Sequence, residues 1–265
     1  MNCISLLTDF GLDDNFVGVI KAVILKINPG AKIIDISHSV KPQDIFGAAF
    51  LLSSAYAYFP RGTVHLVVVD PGVGSKRKGI IAKTRNYLFV APDNGVLTLA
   101  LQKERPLKIV EIGNSKYFLK PVSSSFHGRD IFAPVSAHLS CGEGINDFGR
   151  SLSSYQKLEF PKIKVNASSL TGKIIYIDHF GNLVSNIGKK EFFNFVKTGK
   201  FKIAVKDKSI DRISGNYSQV RPLKPLALFD SFNFLEIAVN SHSAEKLLNA
   251  KKGMAIKIVR YRKLA

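Results

Sequence analysis

Apolar residues along this chain follow two alternating rhythms. Cys3 to Leu7 is a short apolar run that ends at Thr8, Asp9, Phe10 and Gly11, which predicts a strand with a carboxylate at its carboxyl end. From Asp14 onward, Phe16, Val17, Ile20, Val23, Ile24 and Ile27 return every three or four residues until Asn28, Pro29 and Gly30 stop the pattern, so an amphipathic helix capped by acids follows. Ile33 to Ile36 reads as a second strand. The next helix begins near Pro42, with Asp44 placed to favour its dipole, and the stretch Ile45 to Phe59 reads as buried helix, too short and too interrupted by Ser53 and Ser54 to span a bilayer. Val64 to Val69 is a third strand, ending at Asp70, and Leu88 to Ala91 a fourth. Helices are predicted over Val96 to Gln102 and Ile131 to Ser140.

Strands and helices in alternation, with strands near-continuously apolar, point to an α/β domain whose mostly parallel sheet is flanked by helices on both faces. Ligands of such sheets bind beyond the carboxyl ends of the strands. Asp9 and Asp70, both at such ends, are therefore expected to meet in one crevice.

After about Leu170 the rhythm changes to short segments bounded by turns: Lys173 to Ile177, Leu183 to Ile187, Phe201 to Val205, Leu226 to Phe229, Phe234 to Val239 and Ala255 to Val259, with one helix near Ser243 to Asn249. This texture predicts a smaller, β-barrel-like second domain. The first domain ends near Phe160 and Pro161, giving an N-terminal α/β domain over 1–162 and a C-terminal β-barrel-like domain over 163–265. A length of 265 residues accommodates both.

Composition sharpens the picture in two places. With 38 basic and 20 acidic residues the net charge is +18, which suits a nucleic-acid or anionic-surface partner or simply a well-solvated exterior. Cys3 and Cys141 are too few for a disulfide framework or a closed zinc site, so no metal and a reducing compartment are expected. Asp9 interrupts the apolar stretch after Met1 before a leader could form, which predicts a cytoplasmic protein without a membrane segment.

Read residue by residue, the candidate chemistry stays open. Asp13 and Asp14 suit a helix cap as well as a binding role. The loop Asp70-Pro71-Gly72-Val73-Gly74-Ser75 has the glycines of a phosphate cradle but lacks the lysine-then-hydroxyl ending at the required spacing, and no strong helix pattern follows it. His127 lies in a turn-rich segment, where a lone His is more often structural than catalytic. Asp178-His179-Phe180-Gly181-Asn182 reads as an ordinary turn.

Taken in order, the segments Leu7-Thr8-Asp9-Phe10-Gly11, Asp14, Val69-Asp70-Pro71-Gly72-Val73-Gly74 with Arg77, Ala91-Pro92-Asp93-Asn94-Gly95, Phe126-His127-Gly128-Arg129-Asp130, Ile177-Asp178-His179-Phe180-Gly181-Asn182-Leu183 and Leu235-Glu236-Ile237-Ala238-Val239-Asn240 resemble the S-adenosylmethionine hydroxide adenosyltransferases. These are adenosine-forming S-adenosylmethionine hydrolases, related to fluorinating and chlorinating adenosyl enzymes. The resemblance covers nearly the whole chain.

It implies a cofactor-free displacement at the 5′ carbon of S-adenosylmethionine by a water-derived nucleophile, releasing adenosine and methionine. The catalytic positions it implies are Asp70, Arg77 and His127. Asp9 would take the ribose hydroxyls, with Asp14, Phe16 and Gly128 lining the pocket. Asp178 would receive the methionine ammonium and Ser231 its carboxylate, while Asn182, Asn240 and Ser241 belong to the adenine end, with Phe180 and Tyr217 as stacking candidates. Halogenating relatives carry Tyr at position 70 and Ser at 128, so Asp70 and Gly128 turn the expectation from halide to hydroxide. Two departures from relatives are His242, where Gly is common, and Phe232, where the fluorinating branch uses Arg. The resemblance also implies a homotrimer in which one subunit's first domain and its neighbour's second domain build each site. The competing expectations are a basic nucleic-acid-binding protein, through the tail Lys251, Lys252, Lys257, Arg260, Arg262 and Lys263, and an adenosyl halogenase. The alternation of Ala255, Ile256, Ile258 and Val259 within that tail reads instead as an edge strand.

Overall fold

The computed structural model describes residues 2–261 and divides into two compact units, the first ending at Leu158 and the second beginning at Glu159. Arg262 and Lys263 of the basic tail lie outside the described residues.

The first unit runs β1 (Cys3–Thr8), α1 (Phe16–Ile27), β2 (Lys32–Ser37), α2 (Ile45–Ala55), β3 (Val64–Val68), β4 (Gly79–Lys83), β5 (Leu88–Pro92), α3 (Thr98–Glu104), β6 (Lys108–Glu111) and α4 (Ala133–Ser140). Its six strands lie in the order β2-β1-β3-β5-β4-β6. The pairs β1–β2, β1–β3 and β3–β5 are parallel, while β4 runs antiparallel to both its neighbours. Alternation of side chains splits the buried strand residues between two cores. Ile4 and Leu6 join Ile20 and Ile24 of α1 and the apolar face of α4, whereas Leu7, Val67 and Phe89 join α2 and α3. Burial on both faces is why β1 and β3 read as near-continuous apolar runs, broken only by the buried Ser5, Thr8 and His65.

The acid cap expected for α1 is absent. Its N-cap is Asn15, which makes no side-chain capping bond, and no acid occupies the first turn; Asp13 and Asp14 are exposed ahead of it. For α2 the expectation holds in a sharper form, because Asp44 is the N-cap and its carboxylate accepts the N–H of Gly47 at 2.9 Å. The helix is shorter than Ile45 to Phe59, ending at Ala55 before a single 3-10 turn. α4 also starts later than expected, because a π-helical turn over Gly128–Phe132 precedes it.

The second unit contains β7 (Lys164–Val165), β8 (Ser169–Ile177), β9 (Leu183–Gly188), α5 (Lys189–Val196), β10 (Lys200–Val205), β11 (Lys208–Ile210), β12 (Pro225–Phe229), β13 (Phe234–Val239), α6 (Ala244–Leu247) and β14 (Ala255–Tyr261). The antiparallel order β11-β10-β14-β8-β9-β13-β12 nearly closes on itself, since Ile213, just past β11, bridges Ala227 of β12. Phe192, Ile203, Leu235, Ile237 and Ile256 fill the interior. β14 is not the edge strand its alternation suggested. It pairs with β10 on one side and β8 on the other, and Ile256 and Ile258 face the core while Lys257 faces out.

Candidate active site

In the parallel sheet, Leu7 and Thr8 of β1 stand opposite Val67 and Val68 of β3, so the residues that follow the two strands emerge side by side. They open into a cleft of about 380 Å³ lined by Asp9, Phe10, Phe16, Gln43, Asp70 and His127, together with Gly128. The residue before Asp9 is held by a series of contacts that runs from the buried Thr8 and His38 out to the part-exposed Asp35 and Lys21. The Thr8 hydroxyl lies 2.8 Å from Nδ1 of His38, whose Nε2 is 3.1 Å from Oδ1 of Asp35, and Lys21 Nζ donates to the other oxygen of Asp35 at 2.6 Å. This Thr-His-Asp series imitates a nucleophile triad in composition only, because Thr8 is 1% exposed. It holds the turn whose Gly11 N–H donates to the His38 carbonyl at 2.8 Å. Asp9 Oδ2 accepts the backbone N–H of Gln43 at 2.7 Å, and Oδ1 has no partner among the described residues.

Two loops meet at the opposite wall. Gly74 has φ +76°, and a Cβ there would collide with the carbonyl oxygen of Ser124, so only glycine lets the loop after β3 approach the segment before α4. The approach delivers Arg77 to both Asp70 and His127. Arg77 Nε donates to the two carboxylate oxygens of Asp70 at 2.8 and 3.0 Å, Nη2 donates to Oδ2 as well, and Nη2 lies 3.0 Å from Nδ1 of His127. The guanidinium also stacks over Phe132, 5.0 Å from the ring centre. The side chains of Arg77 and Asp70 are only 12% and 6% exposed, so the pair is fixed in a largely dry setting.

A guanidinium has donors and no acceptor, so Nδ1 of His127 must supply a lone pair and any proton of the neutral ring sits on Nε2. The electrostatics agree. Burial first, and the Arg77 charge second, push the His127 pKa below its ordinary value against the opposing pull of Asp70, Asp130 and a hydrogen bond to the Ser123 backbone.

The loop carrying His127 is anchored by Asp130, which is fully buried and accepts from Ser123 N at 2.8 Å and Arg129 Nε at 2.6 Å. Burial alone would raise the Asp130 pKa, but these donors outweigh it and hold the carboxyl below the usual range. Gly128 is wedged among Ile20, Phe10 and Phe126, each with an atom 3.3 Å from where a Cβ would stand. Phe10, Phe16 and Phe126 meet edge to face around this point. Asp14 is exposed and does not line the cleft.

The remaining candidates belong to the second unit. Asp178 closes the β8–β9 turn by accepting from the backbone and side-chain N–H groups of Asn182 at 2.8 and 2.9 Å, so these two candidates bind one another. Asn240 Nδ2 donates to the Val220 carbonyl at 2.7 Å, and the Ser241 hydroxyl donates to Asn240 Oδ1 at 3.1 Å. Ser231 is exposed at the β12–β13 turn. Phe180 is 74% exposed and Tyr217 45%, the latter donating its hydroxyl to Glu236 at 2.9 Å.

Some contributors carry no assigned role in the sequence reading. Phe10, Phe126, Asp130 and Glu236 lie inside the quoted motifs, and their type alone does not separate lining or anchoring from core. Gln43 contributes a backbone N–H, which any residue except proline would supply. Among the described residues no group of three or more His, Cys, Asp or Glu side chains is placed to hold a metal ion, and no helix is long and apolar enough to cross a membrane.

Comparison with known proteins adds an independent line. The SAM hydroxide adenosyltransferase N-terminal domain matches residues 4–149 and the corresponding C-terminal domain matches residues 172–257. A Methanocaldococcus jannaschii protein named (R)-S-adenosyl-L-methionine hydrolase is 38% identical over 94% of this chain and 92% of its own length. A Thermus thermophilus protein of the same name is 33% identical over 98% of this chain and 100% of its own. The crystal structure of an uncharacterized conserved protein from Thermotoga maritima superposes with a TM-score of 0.90 at 42% identity, covering 97% of this chain and 100% of that one. With both domains matched in order and full-length relatives above 30% identity, the chain belongs to the SAM hydroxide adenosyltransferase family.

Proposed function

We propose that this protein hydrolyses S-adenosyl-L-methionine to adenosine and L-methionine by attack of water or hydroxide on the 5′ carbon of the ribose. The observation that carries this reading is the bridge from Arg77 to both Asp70 and His127 beside a cleft that Asp9 also lines. In the reaction the C5′–O bond forms as the C5′–S bond breaks, sulfur keeps the bonding pair and leaves as a neutral thioether, and one water proton is lost. The leaving group needs neither an acid nor a metal, so the reading has no cofactor. What the site must supply is alignment and a place for that proton.

Asp70 is the better acceptor of the two candidates. A carboxylate offers about four lone-pair directions, and Arg77 uses only part of them, whereas His127 commits Nδ1 to Arg77. In this mechanism Asp70 orients the water and takes its proton, Arg77 steadies the developing hydroxide, and His127 positions Arg77. Asp9 receives the ribose hydroxyls, Phe16 and Gly128 border the sugar, and Asp14 joins only if substrate draws it in. In the second unit Asp178 takes the ammonium, Ser231 the carboxylate, Asn182, Asn240 and Ser241 the adenine edge, and Phe180 and Tyr217 its face. The reading also includes, as the family resemblance implies, a cytoplasmic homotrimer in which a neighbouring copy completes each site.

Incubation of the purified protein with S-adenosyl-L-methionine, followed by chromatography, should yield adenosine and methionine in equal amounts. Intact substrate would overturn the activity. Sedimentation analysis should give the mass of three chains, and a monomer at working concentration would overturn the assembly.

A further inference from the structure

Tyr217 stands on a single 3-10 turn, Tyr217–Gln219, none of whose residues is buried. Among the described residues its ring has no aromatic or cationic neighbour, and its one side-chain tie is the hydroxyl donated to Glu236 Oε1 at 2.9 Å. Glu236 is the anomaly in its strand. It sits between Leu235 and Ile237 on β13, opposite Leu228 of β12 and Val184 of β9, and is 4% exposed. Among the described residues no Lys, Arg or His pairs with it. Burial, reinforced by Asp178 and Asp230, pushes its carboxyl up to about 7, while the Tyr217 hydroxyl pulls the other way. A buried carboxylate without a cation costs stability, and an apolar residue would satisfy the strand at no such cost. Such violations of local preference concentrate where function requires them.

We propose that Glu236 is a positioning residue, which by accepting the Tyr217 hydroxyl from within the sheet anchors the part-exposed Tyr217 ring as a platform for the purine of the bound nucleoside. The inference rests on the proposed function and adds to it a residue that touches no substrate. Tethering at the hydroxyl leaves the exposed part of the ring available, Tyr217 being 45% exposed, and fixing the ring beforehand removes an ordering cost from binding.

The test is calorimetric binding of adenosine and of methionine, measured separately, to the full chain and to Tyr217→Phe, Glu236→Leu and Glu236→Gln. Tyr217→Phe and Glu236→Leu should each weaken adenosine about tenfold, a loss on the scale of a base–aromatic stack, with methionine unchanged. Glu236→Gln should rescue adenosine to within about threefold, because an amide oxygen still accepts the hydroxyl. The Tyr217→Phe, Glu236→Leu double variant should bind adenosine no more weakly than either single one. Wild-type affinity in Tyr217→Phe, a variant conservative enough to fold, would overturn the proposal; so would an equal loss of methionine binding. If the unaltered protein binds no adenosine, the proposed function falls and this inference with it.

Discussion

Arg77 Nη2 lies 3.0 Å from His127 Nδ1, a contact that joins two loops 50 residues apart in sequence and leaves the imidazole no choice but to accept. The same guanidinium holds Asp70 through Nε and Nη2. One always-charged side chain thus orders both of the groups that could handle a proton.

Breaking that bridge should cost turnover more than affinity. Arg77→Gln and Asp70→Asn should each lower kcat by about a hundredfold or more, the scale of a lost proton-handling group, with a smaller change in KM. Initial-rate measurements of adenosine release check this, and near-normal kcat in either variant would contradict the assigned roles.

Acid should disable the site through His127. Its pKa lies below the ordinary 6.5, so the ring is neutral at pH 7 and gains its second proton only as pH falls through the lowered value. Protonation removes the lone pair that receives Arg77. The acid limb of kcat/KM should therefore fall below pH 6.5, and in Arg77→Gln the imidazole titration followed by NMR should move upward, because one of the two causes of depression is gone. An acid limb centred above 6.5 would contradict the assignment.

Gly74 makes the meeting of the two loops possible. Gly74→Ala places a side chain at φ +76° against the Ser124 carbonyl, so stability should drop by about 1–3 kcal/mol and kcat should fall with it as Arg77 is displaced. Denaturant melts alongside rates would show both, and an unaffected variant would mean that the loops tolerate separation.

Much of this arrangement was legible in the sequence. A carboxylate after each of two buried parallel strands predicts that Asp9 and Asp70 share a crevice, and the register of β1 on β3 is the reason they do. The antiparallel insertion of β4 was not legible, because Gly79–Lys83 is too short to announce its direction. Nor was the helix over Lys189–Val196, whose three buried residues Phe192, Phe195 and Val196 are too few to set a helical period against its polar remainder. Asp13 and Asp14 look like helix caps by residue type, yet the chain enters α1 one residue later, at Asn15. Tertiary partners such as Arg77 with His127, or Tyr217 with Glu236, leave no local pattern at all. They depend on which loops the fold brings together.

Asp9 gives a ligand-side prediction. With Oδ2 held by Gln43 N–H and Oδ1 without a partner among the described residues, its carboxylate is oriented toward further donors. Adenosine should bind more tightly than 2′-deoxyadenosine by about tenfold, the worth of a hydrogen bond to a charged group. Asp9→Asn should erase most of that preference. Equal calorimetric affinities of the two nucleosides for the unaltered protein would remove Asp9 from the ribose site.

Turnover of S-adenosyl-L-methionine in oxygen-18 water, with chloride or fluoride present, decides whether water-derived oxygen attacks the 5′ carbon. Mass spectrometry should find the label in the 5′ hydroxyl of adenosine, unlabelled methionine, and no 5′-halogenated nucleoside. Adenosine without label, or a 5′-halide as the main product, would rule out attack by water-derived oxygen at that carbon.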